Sequence, residues 1–154
     1  MKKILLTVMA FLFMTGLVCA GSETVSPEVI TLITASEGAM KDAPPELYEV
    51  GRVLNTGPDI KILSPELADE YKAPVDINIV FVPPDNAEVD MTKFKVEYIK
   101  LMSLDITDRF RQYTTKDGIR IQKADLPKGK HKLRVTIGDN KGGITEEIFI
   151  VKLL

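Results

Sequence analysis

The chain has 154 residues and a formal net charge of −2 at pH 7, and 45% of its residues are hydrophobic. That length predicts a single domain. So small a charge gives no electrostatic reason to expect nucleic acid or an anionic membrane as partner. One histidine and one cysteine argue against a zinc site, which takes three or four ligands, and exclude an internal disulfide.

The first twenty residues have the pattern of a secretory signal peptide. Lys2 and Lys3 precede an apolar stretch, and Val18-Cys19-Ala20 resembles a cleavage site. The stretch is shorter than the roughly 20 residues that a membrane-spanning helix needs. We expect cleavage after Ala20 and a periplasmic or secreted protein without a membrane span. An uncleaved anchor and a lipoprotein processed at Cys19 are the alternatives. Gly16 and Val18 fit the lipoprotein pattern poorly.

Residues 21–57 are predicted to form an N-terminal arm with one short helix. The mostly β-branched residues 29–33 favour an extended segment. Thr34 and Glu37 have the spacing of a capping box, which predicts a helix from there to about Lys41. Pro44 and Pro45 would end it. We expect this arm to pack on the main domain.

Residues 58–154 are predicted to form an antiparallel β-sandwich. Apolar and polar side chains alternate there, most clearly from Val75 to Val82, which indicates strands with one buried face. Turn-forming residues separate these stretches. The segments with this pattern are 60–62, 75–82, 94–101, 119–121, 131–137 and 144–154. Burial of Ile77, Val96 and Val135 between two sheets is the central expectation.

The last strand is apolar on both faces, with Ile148 and Ile150 on one and Phe149 and Val151 on the other. One interpretation is that the opposite sheet and the arm cover the two faces. The other is that one face binds another protein.

Residues 126–143 read LPKGKHKLRVTIGDNKGG and resemble the last hairpin of bacterial immunoglobulin-like modules. The resemblance extends over about residues 58–154 and implies an immunoglobulin-like sandwich of about seven strands. The placing of Ala73-Pro74 and of residues 105–107 is also similar to that in small uncharacterised exported bacterial proteins, which bring no known activity. The chain lacks the Cys–Trp–Cys core of antibody domains and the acidic calcium motifs of cadherins.

His131 shares strand parity with Leu133, Val135 and Ile137 and therefore points toward the core edge. We expect its ring to hydrogen-bond a nearby backbone carbonyl, as the corner tyrosine does in immunoglobulin folds. A catalytic or metal-binding role is the alternative.

Two charged groups are interpreted as structural. Lys128, Lys130, Lys132 and Arg134 are expected to be solvated and partly neutralised by Glu146 and Glu147. Asp105, Asp108, Asp139 and Asn140 carry oxygens that calcium uses, but their spacing is that of turn residues.

No nucleophile motif or phosphate-binding glycine loop is present in the sequence, and no catalytic, cofactor-binding or metal-ligating residue is predicted. The leading hypothesis is a non-catalytic exported module that binds another envelope protein or is structural. A small carbohydrate- or surface-binding domain is the alternative. It would rely on exposed aromatics among Tyr48, Tyr71, Tyr98, Tyr113 and the phenylalanines. A hydrolase is the third hypothesis. Calcium-dependent adhesion is a variant of the first, and oligomeric state is left open.

Overall fold

The structure is a computed structural model that describes residues 28–44, 55–66 and 70–154. The predicted signal peptide at 1–20 and Tyr48 lie outside these ranges. No helix within them is long and apolar enough to cross a membrane.

Most of the described chain lies in two β-sheets. Sheet A has the strand order β1–β8–β4–β2, and a short β7 also pairs with β8. Its strands are β1 (Ile30–Thr31), β2 (Asp59–Ser64), β4 (Val75–Val82), β7 (Thr114–Thr115) and β8 (Gly118–Asp125). Sheet B has the order β3–β10–β9–β5–β6. Its strands are β3 (Glu70–Tyr71), β5 (Val89–Tyr98), β6 (Leu104–Asp105), β9 (Gly129–Asp139) and β10 (Ile144–Leu153).

The inner faces of the two sheets meet in one hydrophobic core, as the alternating pattern predicts. Ile77 is 1% exposed, and Val96 and Val135 are fully buried. Period-two alternation places every second side chain on the same face, so β4 contributes Val75, Ile77, Ile79 and Phe81 to this layer. The all-β class and the burial expectation are therefore confirmed.

The described part of the arm belongs to this core. β1 pairs in parallel with the end of β8, and Leu32 and Ile33, which follow it, are buried. The capping box of Thr34 and Glu37 is confirmed at the start of α1 (Ala35–Gly38). The helix ends at Gly38 rather than near Lys41. There the chain passes so close to Pro127 that a Cβ on Gly38 would lie 2.6 Å from its Cγ.

Two elements differ from the expected pattern. The segment after Asp105 contains a second helix, α2 (Thr107–Arg111). The amide of its first residue, Thr107, donates a hydrogen bond to the Asp105 carboxylate. β5 begins at Val89, well before Phe94. The Asp90 carboxylate bonds the backbone and hydroxyl of Thr92. The register with β9 shifts there, which obscures the alternation in the sequence.

The two faces of β10 are covered unequally. Phe149 and Val151 are buried in the core, whereas Ile148 and Ile150 on the outer face are half-buried. Their cross-strand neighbours on β9 are Arg134 and Lys132. The choice between a covered face and a docking face stays a prediction.

Candidate functional site

An open groove of about 740 Å³ lies along the outer edge of sheet A, where β8 is only partly paired. β7 pairs with Gly118 and Ile119, and β1 pairs with Ala124 and Asp125. Between them, residues 120–123 have no strand partner on this edge within the described chain. The groove is lined by Glu28, Val29, Ile30, Thr31, Gln112, Tyr113, Arg120 and Gln122.

Backbone polar groups of β8 face this gap. The Arg120 amide points to the β7 side, where it donates to the Tyr113 carbonyl over 3.0 Å. In an antiparallel ladder the N–H and C=O of one residue point the same way and those two residues on follow them. The Arg120 carbonyl and the Gln122 amide therefore face the same edge.

A bulge lies in β8 next to Gln122 of the groove. The register between β4 and β8 shifts between Val75 and Ile77, and Lys123 has a positive φ of 54°. Its amide donates to the Asp76 carboxylate at 2.9 Å instead of continuing the ladder. Bulges increase the local twist and interrupt pairing at sheet edges, which is the arrangement found here.

The side chains of the groove combine apolar and polar groups. Val29 is 52% exposed and Tyr113 is half-buried. Arg120 and Gln122 are exposed on the outward face of β8, and Arg120 has no ion pair within the described ranges. A smaller depression of about 310 Å³ adjoins the groove through Tyr113 and Arg120 and extends to Asp117.

His131 lies elsewhere, buried inside the sandwich, and its expected carbonyl partner is confirmed. Its Nε2 lies 2.6 Å from the Pro127 carbonyl oxygen, and its Nδ1 lies 2.9 Å from the Tyr98 hydroxyl. A carbonyl only accepts, so Nε2 carries the proton, and the Tyr98 hydroxyl donates to Nδ1 of the neutral ring. Burial lowers the pKa of His131 and raises that of Tyr98, so both groups are held neutral.

A lysine beside this pair ties the arm to sheet B. Lys100 is 4% exposed, and its ammonium donates to the Gly38 carbonyl at 3.1 Å and the Asp42 carboxylate at 2.8 Å. It also lies 5.1 Å from the centre of the Tyr98 ring. Burial opposes the charged form, but the bonds to Asp42 and Tyr98 outweigh it and raise the pKa of Lys100.

A second ion pair joins the two helices. Arg109 of α2 makes two bonds to the Glu37 carboxylate of α1, at 2.7 and 2.9 Å, and a third to the Leu32 carbonyl. The hydrogen bond from Arg109 lowers the pKa of Glu37 to about 2. Because every charge in these contacts meets a partner, the polar groups of this region hold the arm in place.

The oxygen donors considered for calcium are engaged separately in local structure. Asp105 accepts from the amide and hydroxyl of Thr107 at the start of α2, and buried Asp139 accepts from the amides of Lys141 and Gly143. Asn140 accepts from the Glu88 amide, and Asp108 is exposed beside Arg111. Within residues 28–44, 55–66 and 70–154, no cluster of three or more His, Cys, Asp or Glu side chains has metal-binding geometry.

Of the four basic residues, Lys130, Lys132 and Arg134 lie on β9 of sheet B, and Lys128 directly precedes that strand. Arg134 forms its ion pair with Glu97 of β5, at 3.4 Å, rather than with Glu146 or Glu147 of β10. Lys128 and Lys130 are exposed. Lys132 and Arg134 are half-buried, so the expected solvated surface is present at Lys128 and Lys130 alone, and Arg134 has a different acidic partner from the one expected.

Of the described tyrosines considered for ligand binding, Tyr113 is the one that lines the groove. Tyr98 is buried, and the Tyr71 hydroxyl accepts from the Glu66 amide at 2.9 Å, which leaves Tyr113 in the groove. Arg120, Gln112 and Gln122 were not identified from the sequence as groove residues. The groove lies in the gap between β1 and β7, and strands of two residues give no periodic signal in a sequence.

Comparison of the chain with known protein families, curated proteins and solved structures found no match.

Proposed function

We propose that this chain is an exported, non-catalytic immunoglobulin-like module that binds another protein of the bacterial cell envelope through the β8 groove. The observation that carries the proposal is the unpaired stretch of β8 between β1 and β7, bordered by a groove of about 740 Å³. Unpaired strand edges pair readily with an extended segment of another chain. The resemblance of residues 126–143 to bacterial immunoglobulin-like hairpins and the signal-like residues 1–20 support the family and the export.

The chemistry of the groove favours a short extended segment of mixed character. The Arg120 carbonyl and the Gln122 amide offer one backbone acceptor and one donor. Val29 and Tyr113 offer apolar contact, and Arg120 offers a positive charge without an ionic partner among the described residues. A segment with an acidic side chain next to an apolar one fits this arrangement.

Site-directed photo-crosslinking in intact cells tests the proposal. A photoreactive residue replaces Gln122 in one variant and exposed Lys128 in a matched control. We expect an adduct with one envelope protein from position 122 and none from position 128. The crosslinked segment, made as a peptide, should bind the purified chain, and Arg120→Glu should weaken that binding at least about tenfold. Equal adducts from both positions, or no loss with Arg120→Glu, would overturn the assignment.

A carbohydrate ligand is the second candidate, favoured by one observation. Tyr113 lies in the groove with Gln112, Gln122 and Arg120, and an aromatic face with amide donors suits a sugar ring. A glycan array followed by Tyr113→Ala separates the candidates. A sugar ligand requires array binding that the substitution removes, whereas a protein ligand predicts no array signal.

A further inference from the structure

β2 forms the outer edge of sheet A opposite to the groove, and half of its backbone groups have no strand partner in the described chain. The Phe81 amide donates toward β8, to the Asp117 carbonyl. By alternation, Val80 and Val82 of β4 face β2, and they lie opposite Lys61 and Asp59. The N–H and C=O groups of Ile60 and Ile62 therefore point away from the sheet.

The apolar side chains along this edge are less completely buried than those in the middle of the sheet. The inward residues of β4, Ile77 and Ile79, are 1% and 0% exposed, whereas Ile60 and Ile62 of β2 are only partly buried. Leu63 at the end of the strand is 56% exposed. Apolar surface beside unpaired backbone groups is the combination that proteins usually protect.

The outward side chains of β2 carry opposite charges at alternate positions. Asp59 and Lys61 are both exposed, and neither makes an ion pair within the described ranges. The two charges lie on the same face, two residues apart. An antiparallel copy of the strand presents the same charges in reverse order, which makes the edge self-complementary.

We propose that two copies of this chain associate by antiparallel pairing of their β2 strands, centred on Ile60, so that sheet A continues from one copy into the other. In this register Ile60 lies opposite the partner's Ile60 on the core side. Asp59 lies opposite the partner's Lys61 on the outer side, and the symmetry of the pair repeats this contact. Cross-strand apolar and opposite-charge pairs both stabilise a sheet.

The charges also select the register. Pairing centred on Lys61 would use the same edge-facing groups, those of Ile60 and Ile62. It would place Lys61 directly opposite the partner's Lys61, and like charges in that position are destabilising. The register centred on Ile60 is therefore the one that places Asp59 opposite Lys61. In it Ile62 lies opposite the partner's Pro58, which has a carbonyl but no N–H, so the Ile62 amide is paired and its carbonyl is not. Because both copies use the same edge about a two-fold axis, the assembly closes at two copies.

A charge-reversal series tests this dimer. The chain, expressed from its full 154-residue sequence and purified as processed by the host, is measured by sedimentation equilibrium. One variant is Lys61→Asp, and a double variant combines Asp59→Lys with Lys61→Asp. Lys128→Asp, which lies between β8 and β9 and outside β2, is a control with the same charge change. We expect dimerisation of the parent chain. We expect at least about tenfold weaker association for Lys61→Asp, recovery in the double variant, and no change in the control.

Each outcome decides the proposal. A parent chain that stays monomeric up to about 1 mM, or a Lys61→Asp variant that dimerises as tightly as the parent, overturns it. Melting curves at low concentration show whether each variant is folded, and recovery in the double variant excludes a folding defect as the cause. Because β2 and the groove lie on opposite edges, loss of the dimer leaves the groove assay unchanged.

Discussion

The two lateral sides of the sandwich use polar residues in opposite ways. On the side of α1 and α2, the Glu37–Arg109 pair and buried Lys100 bind groups of the arm and of the sandwich together. On the β2 side, Asp59 and Lys61 are exposed and unpaired within the described chain, and the apolar residues beneath them are only partly buried.

The difference separates structural polar groups from those available for binding. A buried charge is tolerated only when its partners are fixed, and Lys100 has two oxygen partners and an aromatic ring. Such groups give up their capacity for new contacts. An edge strand with free backbone groups and unpaired charges retains it. The paired charges around α1 and α2 therefore supply stability, and β2 and the β8 gap are the regions open to partners.

The largest expected effect is a loss of stability when a buried residue of the arm is truncated. Leu32 is fully buried although it belongs to the arm, so Leu32→Ala should lower the free energy of unfolding by about 3 kcal/mol, as for other buried leucines. Val29→Ala, at a 52% exposed position three residues earlier, should cost about 0.5 kcal/mol or less. Urea unfolding measures both, and equal small losses would mean that the arm is not part of the core.

Removing the charge of Glu37 should have the next largest effect. Glu37→Gln should destabilise the chain by about 1 kcal/mol, because Arg109 is partly exposed and water screens the pair. The folded pKa of about 2 lies below the ordinary 4.5. The pair therefore stabilises the protein above about pH 4.5, and this stabilisation is lost as pH falls toward 2.

Urea unfolding at several pH values checks the Glu37 effect. The difference between the parent chain and Glu37→Gln should be full at neutral pH and shrink below about pH 4.5. Asp108→Asn, which removes a carboxylate that is 97% exposed, should behave like the parent. A difference that stays constant with pH would contradict the role of the charge.

His131 should add a second pH dependence that begins at higher pH than that of Glu37. Burial lowers its folded pKa below the ordinary 6.5, so the unfolded chain takes up the proton first as pH falls. Stability should therefore be full above about pH 6.5 and decline below it. The decline should be absent in His131→Gln. Parallel pH profiles of the parent and the variant would assign the change to other groups.

The sequence predicted features governed by local pattern and missed those created by assembly. The alternation at Val75–Val82 and the capping box of Thr34 are encoded within a few residues, and both are confirmed. Strand parity predicted that His131 points inward, and it is buried. Its carbonyl partner, expected by analogy with the corner tyrosine of immunoglobulin folds, lies four residues away in the chain. The contact between Glu37 and Arg109 joins residues 72 positions apart, and no local pattern reports such a distance.

The groove shows the same limit in physical terms. It exists because β1 and β7 stop short of each other along β8. Strands of two residues are too short to show periodicity. β1, which is followed by buried Leu32 and Ile33, pairs with a strand that is far from it in sequence. A sequence reveals which face of a strand is buried, but the open part of a sheet edge depends on which other segments reach it.

The smallest expected effect is a change in the hydrogen-exchange rates of individual backbone amides, which tests the difference between the two sides directly. At low protein concentration the Leu32 amide, which donates to the Asp125 carbonyl at 3.1 Å, should exchange slowly with solvent deuterium. The amides of Ile60 and Ile62 should exchange fast, because they point away from the sheet. If β2 strands pair, raising the concentration should slow exchange at Ile60 and Ile62 and leave Leu32 unchanged. Slow exchange at Ile60 at every concentration would mean that the chain itself covers this edge, and the two sides would then not differ.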